Sequence, residues 1–200
     1  MSEEGFIKYQ CEWVRAEPES FAGFAELNQI RDRLHALGFI GVYPNGVGYG
    51  NISLRCADCA EFYISGAATG HLAKLGPEHY SKVTAYNFTE NRVRCVGPLR
   101  ASSESMTHAA IYEADATVRA VLHVHDAVLW KALLHRVPTT DVSVEYGTPE
   151  MAGEIGRLFR ETDVRERRIL AMAGHEDGLV TFGANLEDAL HVLLETQIRF

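Results

Sequence analysis

The sequence predicts an α/β protein in which a partly antiparallel sheet is covered by helices on both faces. Segments with apolar residues at helical spacing alternate along the chain with short, strand-like apolar runs. Several of these runs are joined by turns of hairpin length. The length of 200 residues, with 46% hydrophobic and 23% charged residues, is that of one globular domain over residues 1–200.

The N-terminal half is predicted to begin with a helix and to continue mainly in strands. The helix runs from about Ser20 to Leu37, because apolar residues recur every three or four positions and Gly38 follows as a stop signal. Strands are predicted in NGVGYGNISLR, EFYIS and NRVRCVG. Between the last two, Gly76 followed by Pro77 predicts another helix start, since proline favours the first helical position.

The C-terminal half alternates more regularly between helices and strands. Predicted helices cover residues 103–114 and about 127–134. Two more begin after Thr148 and Asn185, whose side chains can cap the first turn. Strands are predicted in VRAVLHVH, RRILAMAG and GLVTFG, and the last two are joined by a turn.

Charge and the N-terminal residues argue against several classes of partner. The formal net charge is −8, whereas broad binding of nucleic acid needs a basic face. The N-terminus MSEEGFIKYQ carries acidic residues where a signal peptide has basic ones. The longest apolar runs are far too short to span a bilayer. We therefore expect a cytoplasmic protein with no nucleic-acid or membrane partner.

The main feature of the four cysteines is a lone C-x-x-C pair, Cys56 and Cys59. A structural zinc site would need further ligands, which Cys11 and Cys95 could supply only across the fold. A redox dithiol is the other alternative, but the sequence shows no thioredoxin-like context. We interpret the pair as reduced thiols on a loop.

Two histidines on one predicted strand indicate a metal site. His123 and His125 point to the same face, about 6.6 Å apart along the strand, while Leu122 and Val124 belong to the opposite, apolar face. His175, in AGHEDG, is the best candidate for a third ligand, because it follows an apolar strand and precedes a turn. Three histidines with an open position are typical of a catalytic metal. Zinc fits best, and Mn, Co and Fe are alternatives.

The segment ASSES opens a predicted helix with two hydroxyls and a carboxylate. The free N–H groups of a helix N-terminus bind anions, so Ser102 and Ser103 could hold a phosphate or carboxylate. Glu104 could then act on a substrate proton. The alternative is that Ser103 is only an N-cap and Glu104 only complements the helix dipole. His108 on this helix, like the other remaining histidines, is expected on the surface or on a helix face.

Two glycine-containing segments, GYGNIS and SGAATG, could also approach a ligand. Their glycines allow a close backbone approach, and Asn51 and Thr69 add polar groups. Ordinary turns use the same residues, so each segment alone is a weak signal.

Taken together, these segments resemble the class II aldolase/adducin family. The resemblance covers most of the chain and rests on the order and spacing of GYGNIS, ISGAATG, ASSES, AVLHVH, YGTPEMA, GHEDGLVTFG and the last helix beginning NLEDAL. It implies a three-layer α/β/α sandwich with a central, largely antiparallel sheet. It also implies a homo-oligomer, usually a tetramer, with active sites near subunit boundaries.

The resemblance implies a role for each motif residue. Zinc, or another divalent metal such as Mn, Co or Fe, would bind to His123, His125 and His175, and Glu104 would be the acid/base. The positions that would hold a substrate phosphate are Gly50, Asn51, Thr69, Gly70, Ser102 and Ser103. We therefore predict a metal-dependent, aldolase-type lyase of carbohydrate metabolism. Its substrate would be a small, phosphorylated hydroxy-carbonyl compound that reacts through a metal-stabilised enediolate.

The chain departs from the sugar-phosphate aldolases in its tyrosines. Only 20 residues lie between His125 and Tyr146, and no tyrosine follows Tyr146. In those aldolases the corresponding stretch is longer, and both it and a C-terminal tail supply a tyrosine. The alternatives are a dehydratase, decarboxylase or epimerase of the same family, and a non-catalytic, adducin-like binding protein. The last would lack the three histidines that this chain keeps.

Overall fold

The computed structural model describes residues 6–57 and 59–200. The strands in this part of the chain are β1 (Gln10–Arg15), β2 (Gly41–Val42), β3 (Gly48–Tyr49), β4 (Asn51–Arg55), β5 (Phe62–Ser65), β6 (Tyr80–Asn87), β7 (Arg92–Gly97), β8 (Ala120–His125), β9 (Ile169–Ala171) and β10 (Gly178–Gly183). The helices are α1 (Phe24–Ala36), α2 (Ser105–Ala114), α3 (Ala127–Leu133), α4 (Pro149–Glu161), α5 (Val164–Arg167) and α6 (Leu186–Arg199). None of these helices combines the length and apolar character that crossing a bilayer demands.

Eight of the strands form one sheet, in the order β1-β7-β6-β5-β4-β8-β10-β9. Within the described residues, β1 pairs with β7 in parallel and the other pairings in this sheet are antiparallel. β2 and β3 form a separate two-stranded sheet. The central strand β8 lies between β4 and β10, so that Asn51 pairs with His123 and Gly178 with His125.

Helices cover both faces of the sheet and give the predicted three layers. On one face, α2 and α4 pack against a core that includes Val121. On the other face, α1, α3 and α6 pack against Leu122 and Val124. Alternation along β8 therefore places His123 and His125 on the α2/α4 face, as predicted. The α/β/α sandwich is confirmed, whereas a single domain over residues 1–200 stays a prediction.

Local capping signals locate helix starts correctly, but the helix that starts at Pro77 is one 3₁₀ turn and not an α-helix. The side chains of Thr148 and Asn185 accept hydrogen bonds from backbone N–H groups in the first turns of α4 and α6. After Gly76, however, residues 77–79 form only a single 3₁₀ turn, and the chain enters β6. The residues from Tyr80 onwards form β6 because they pair with both β5 and β7. A proline at a helix start does not indicate these long-range pairings. β1 is also unpredicted, although Cys11 and Trp13 alternate with polar residues and pack against the α2/α4 core.

Candidate metal centre

The structure brings the three predicted histidines together at one end of β8. The Nε2 atom of His123 lies 3.1 Å from that of His125 and 3.2 Å from that of His175. His123 and His125 share the α2/α4 face of β8. His175 is on the turn between β9 and β10, and the pairing of β10 with β8 brings this turn next to the pair. All three side chains are buried. Their ring nitrogens form a compact group that can hold a metal ion.

The outer nitrogens of two of these rings have partners that orient them. Nδ1 of His123 lies 3.2 Å from the backbone carbonyl oxygen of Leu179, to which it can donate. Nδ1 of His125 lies 2.8 Å from the Tyr43 hydroxyl. The carbonyl oxygen of Leu179 favours the tautomer of His123 in which Nε2 carries a lone pair, which is the form that ligates metals. The Tyr43 hydroxyl can donate or accept, so it is compatible with the same tautomer of His125.

Burial keeps the three imidazoles neutral near neutral pH. Desolvation lowers the pKa of His123 to about 4 and the pKa of His125 and of His175 well below the ordinary value. The mutual repulsion that their protonated forms would experience acts in the same direction. Neutral imidazole is the metal-binding form, so the electrostatics favour coordination.

Glu104 lies immediately before α2 and faces this cluster. One carboxylate oxygen is 3.9 Å from Nε2 of His175. Both carboxylate oxygens are buried and receive no hydrogen bond from the described part of the chain. Burial raises the pKa of Glu104 to about 7, and the nearby Thr107 hydroxyl opposes part of the rise. Burial therefore favours the protonated form of this carboxyl group more than in an exposed glutamate.

A cavity of about 430 Å³, including the part open to solvent, lies in front of the cluster. All ten predicted site residues line it: Gly50, Asn51, Thr69, Gly70, Ser102, Ser103, Glu104, His123, His125 and His175. They come from the junction of β3 and β4, the loop after β5, the residues just before α2, β8 and the turn after β9. Their shared location is a geometric result, and their individual roles stay predictions.

The glycine segments lie close to each other for steric reasons. Gly50 has a φ of +75°, and a Cβ there would meet the carbonyl oxygen of Phe39 at 2.9 Å. A Cβ on Gly70 would overlap the carbonyl oxygen of Gly41. The same Cβ would lie 3.1 Å from the Cα of Gly48, so the two segments pack backbone against backbone at the cavity wall. Beside them, Oδ1 of the buried Asn51 has no hydrogen-bond partner in the described residues and is available to a ligand.

Arg31 was not predicted as part of the site, yet it anchors one wall of the cavity. Its side chain is 1% exposed in the middle of α1. The guanidinium donates to the carbonyl oxygen of Leu72 and, at 2.9 Å, to that of Thr69. Its spacing from Leu27 and Leu34 places it on the buried face of α1, which is the signal that could have revealed it.

The segment that leads into β1 also reaches the site, which was not predicted from the sequence. The Tyr9 hydroxyl lies 3.0 Å from the carbonyl oxygens of both Ala101 and Ser102, just before α2. Nζ of Lys8 lies 4.2 Å from the centre of the Tyr146 ring and 2.7 Å from a carboxylate oxygen of Glu145. The segment that leads into β1 therefore supports two parts of the cavity wall.

Three tyrosines surround the histidines. The ring centres of Tyr49 and His125 are 5.4 Å apart, and those of Tyr146 and His175 are 4.5 Å apart. Tyr49 and Tyr146 line the cavity, and Tyr43 contacts His125 from behind. The chain has no tyrosine after position 146, but these three tyrosines lie beside the histidine cluster.

His108 is on a helix face, as expected, but that face is fully buried. Its Nδ1 lies 2.6 Å from the hydroxyl oxygen of Ser53, which is also 2.7 Å from the hydroxyl oxygen of Tyr112. Burial holds the pKa of His108 well below its ordinary value. The side chain links α2 to β4 behind the cavity and does not line it.

A family model described as "Class II Aldolase and Adducin N-terminal domain" matches residues 44–198. The chain belongs to this family. The match begins after α1, so the family model does not include β1, Lys8 or Tyr9. No curated protein matches the chain significantly.

Solved structures share the fold at low identity. YgbL of Klebsiella pneumoniae, whose description as an aldolase, epimerase or decarboxylase is provisional, is 19% identical with a TM-score of 0.64, over 86% of this chain and 83% of that chain. The L-fuculose-1-phosphate aldolase of Thermus thermophilus is 22% identical with a TM-score of 0.63, over 86% and 88%. A sugar-phosphate aldolase of Thermotoga maritima is 15% identical with a TM-score of 0.63, over 86% and 89%. At these identities the comparison establishes the class II aldolase fold.

Proposed function

We propose that this family member is a metal-dependent, aldolase-type lyase of carbohydrate metabolism. Its substrate would be a small, phosphorylated hydroxy-carbonyl compound. The observation that carries the proposal is the buried Glu104 carboxylate, 3.9 Å from His175 at the edge of the histidine cluster. A proton-transfer group beside a metal-ligand set is what such a reaction requires.

The histidine cluster fits a divalent metal ion. Its three Nε2 atoms face one another, and hydrogen-bond partners orient His123 and His125 from outside. Three imidazoles suit zinc best, and manganese, cobalt or iron are alternatives. When bound there, such an ion would act as a Lewis acid on a carbonyl oxygen and an adjacent hydroxyl of the substrate.

Glu104 would move the substrate proton. With its pKa raised to about 7, the carboxyl group can both accept and release a proton at neutral pH. Because its oxygens receive no hydrogen bond from the described chain, the carboxylate is available to a substrate. Its position next to His175 would place that proton beside the polarised carbonyl group.

The rest of the cavity wall would hold the substrate phosphate. The hydroxyls of Ser102 and Ser103 precede α2, where free N–H groups and the helix dipole favour an anion. The backbone at Gly50 and Gly70 can approach a ligand closely, and the amide of Asn51 adds a donor. Thr69 lies beside Gly70 in the same wall.

The test combines a substrate screen with a matched variant. Metal-loaded protein is assayed against phosphorylated ketoses and hydroxy acids, with both cleavage and dehydration recorded. Glu104→Gln is expected to abolish turnover and to keep the metal content of the unmodified protein. His175→Ala is expected to lose the metal. Turnover retained by Glu104→Gln would remove this residue from the acid/base role.

A dehydration, decarboxylation or epimerisation is the second candidate. The short stretch of 20 residues between His125 and Tyr146 favours it, since the sugar-phosphate aldolases carry a tyrosine in a longer stretch there. Dehydration without cleavage in the screen would establish this alternative. Metal content near zero after purification without chelators would instead favour a non-catalytic, adducin-like binding protein.

We also propose a homotetramer as the functional assembly and zinc as the resident ion. Light scattering coupled to size-exclusion chromatography measures the first, and elemental analysis of the purified protein measures the second. A monomer would contradict the first assignment. A different metal in the active protein would contradict the second.

A further inference from the structure

A second cluster of metal-ligating side chains lies on the loop between β4 and β5. The sulfur atoms of Cys56 and Cys59 and a carboxylate oxygen of Glu61 lie within 4.8 Å of one another. Cys56 follows the last residue of β4, and Asn51 is its first, so the cluster is about 16 Å along the strand from the candidate active site. Cys59 is exposed and Cys56 is half-buried, so an ion from solvent can reach both.

The spacing of these atoms is close to that of a bound metal. Zinc binds sulfur at about 2.3 Å and carboxylate oxygen at about 2.0–2.2 Å, so tetrahedral ligands are about 3.5–3.8 Å apart. Small side-chain rotations bring atoms that lie within 4.8 Å of one another into this range. The C-x-x-C spacing is also the usual way in which one loop supplies two thiolates to zinc.

Hydrogen bonds anchor the backbone of this loop at three points. The N–H of Cys56 donates to the carbonyl oxygen of Glu61 at 2.9 Å. Nε of Arg55 donates to the carbonyl oxygen of Cys59 at 3.3 Å. A guanidinium N–H of Arg119, on the neighbouring segment before β8, donates to the carbonyl oxygen of Ala57 at 3.3 Å. These contacts reduce the conformational entropy that ligands would lose on binding an ion.

A divalent cation neutralises most of the negative charge of the three ligands. Two thiolates and the Glu61 carboxylate carry three negative charges, of which a divalent ion neutralises two. Nζ of Lys82 lies 3.4 Å from a carboxylate oxygen of Glu61 and can neutralise the third. The second carboxylate oxygen remains available to a metal.

The other two cysteines do not complete this site. Sγ of Cys11, on β1, lies 3.9 Å from Sγ of Cys95, on β7, and the two contact each other. Cys95 is buried under the α2/α4 core. Glu61 is therefore the third ligand, a role for which the C-x-x-C motif alone offers no candidate.

We propose that Cys56, Cys59 and Glu61 form a second site, outside the cavity, for a thiophilic divalent cation such as zinc, with solvent at the fourth position. Binding replaces the two thiol protons, which pass to water, and transfers no electron. The ion would tie the end of β4 to the start of β5. Because it uses none of the cavity residues, this site does not depend on the proposed lyase activity.

Cobalt(II) is the probe, because thiolate ligands give it a sulfur-to-metal charge-transfer absorption in the near ultraviolet that imidazole ligands do not. We expect the reduced full chain to bind two Co²⁺ ions and to show this band. Cys56→Ser and Cys59→Ser, each made separately, are expected to bind one ion and to lack the band. Glu61→Gln is expected to keep the band but to bind more weakly.

Two controls separate this site from the rest of the protein. Cys11→Ser removes a thiol elsewhere and is expected to retain two ions and the band. A His123→Ala, His125→Ala double variant is expected to bind one ion and to keep the band.

Three results would overturn the proposal. One is a single ion without the charge-transfer band in the unmodified chain. Another is one and a half ions per chain with the band, which would mean that thiolates from two chains share the second metal. The third is a disulfide between Cys56 and Cys59 that forms again after reduction and prevents Co²⁺ binding, which would identify a redox pair.

Discussion

Replacing Arg31 by methionine tests whether the buried guanidinium holds the wall of the cavity. Methionine keeps the length of the stem and its helix propensity, so the change removes mainly the charge and the donors. The carbonyl oxygen of Leu72 then loses the donor that Arg31 supplies, whereas that of Thr69 keeps the N–H of Leu72 at 3.1 Å. One buried acceptor is left unpaired.

The expected cost follows from these contacts. An unpaired buried acceptor destabilises by about 1–3 kcal/mol. Relief of the guanidinium desolvation, which lowers the pKa of Arg31, offsets part of this cost. We expect a net loss of about 2 kcal/mol in the free energy of unfolding, or roughly 4–8 °C in Tm for a domain of this size. Inorganic phosphate should bind more weakly, because the loop after β5 is released.

Urea unfolding of the metal-free protein, and phosphate binding by the metal-loaded protein, measure the two effects. Arg33→Met is the matched control, because Arg33 is on the same helix and outside its buried face. It should change stability by about 0.5 kcal/mol or less. If Arg31→Met destabilises the protein no more than Arg33→Met, the guanidinium does not hold this loop.

Three further predictions concern the surroundings of the cluster. Tyr43→Phe removes the hydroxyl that lies 2.8 Å from Nδ1 of His125, and we expect about 10- to 100-fold weaker metal binding in chelator competition. Gly70→Ala forces a Cβ onto the carbonyl oxygen of Gly41, and we expect a loss of about 1–3 kcal/mol in urea unfolding together with weaker phosphate binding. In the metal-free protein, the lowered pKa of His108 means that the unfolded chain takes up a proton below about pH 6.5 that the folded chain does not. This histidine should therefore lower stability by up to about 1.4 kcal/mol per pH unit as the pH falls, and His108→Gln should give a shallower dependence between about pH 7.5 and 5.5.

A specific result would contradict each of these three predictions. Unchanged metal affinity in Tyr43→Phe would mean that the hydroxyl does not orient its histidine. Wild-type stability in Gly70→Ala would show that the backbone at Gly41 can move away from position 70 without cost. A pH dependence of unfolding that is the same with and without His108 would mean that another group accounts for it.

Most of the histidine cluster was predictable because strands alternate strictly. The spacing of His123 and His125 and the apolar residues between them place both rings on one face, whatever the rest of the fold does. His175 required a further inference, since its distance from the pair depends on the antiparallel pairing of β10 with β8. The helix caps at Thr148 and Asn185 were predictable for a similar reason, because they act within one turn.

Other contributors were not predictable because their contacts span long distances in the chain. Tyr43 reaches His125 over 82 residues, and Tyr9 reaches Ala101 over 92. Neither carries a local pattern that distinguishes it from an ordinary surface or core tyrosine. The alternation of Cys11 and Trp13 with polar residues is a local signal for β1, but its parallel pairing with β7 exists only once the sheet has formed.

The order of residues by itself determined which side chains share a face and where helices begin, because these properties depend on backbone periodicity over a few residues. Only the tertiary structure decided that Glu104 lies beside His175 without a hydrogen-bond donor from the described chain, that Arg31 is buried against the loop after β5, and that Glu61 joins the cysteine pair. These contacts depend on how separate elements pack, and packing is set by the whole core.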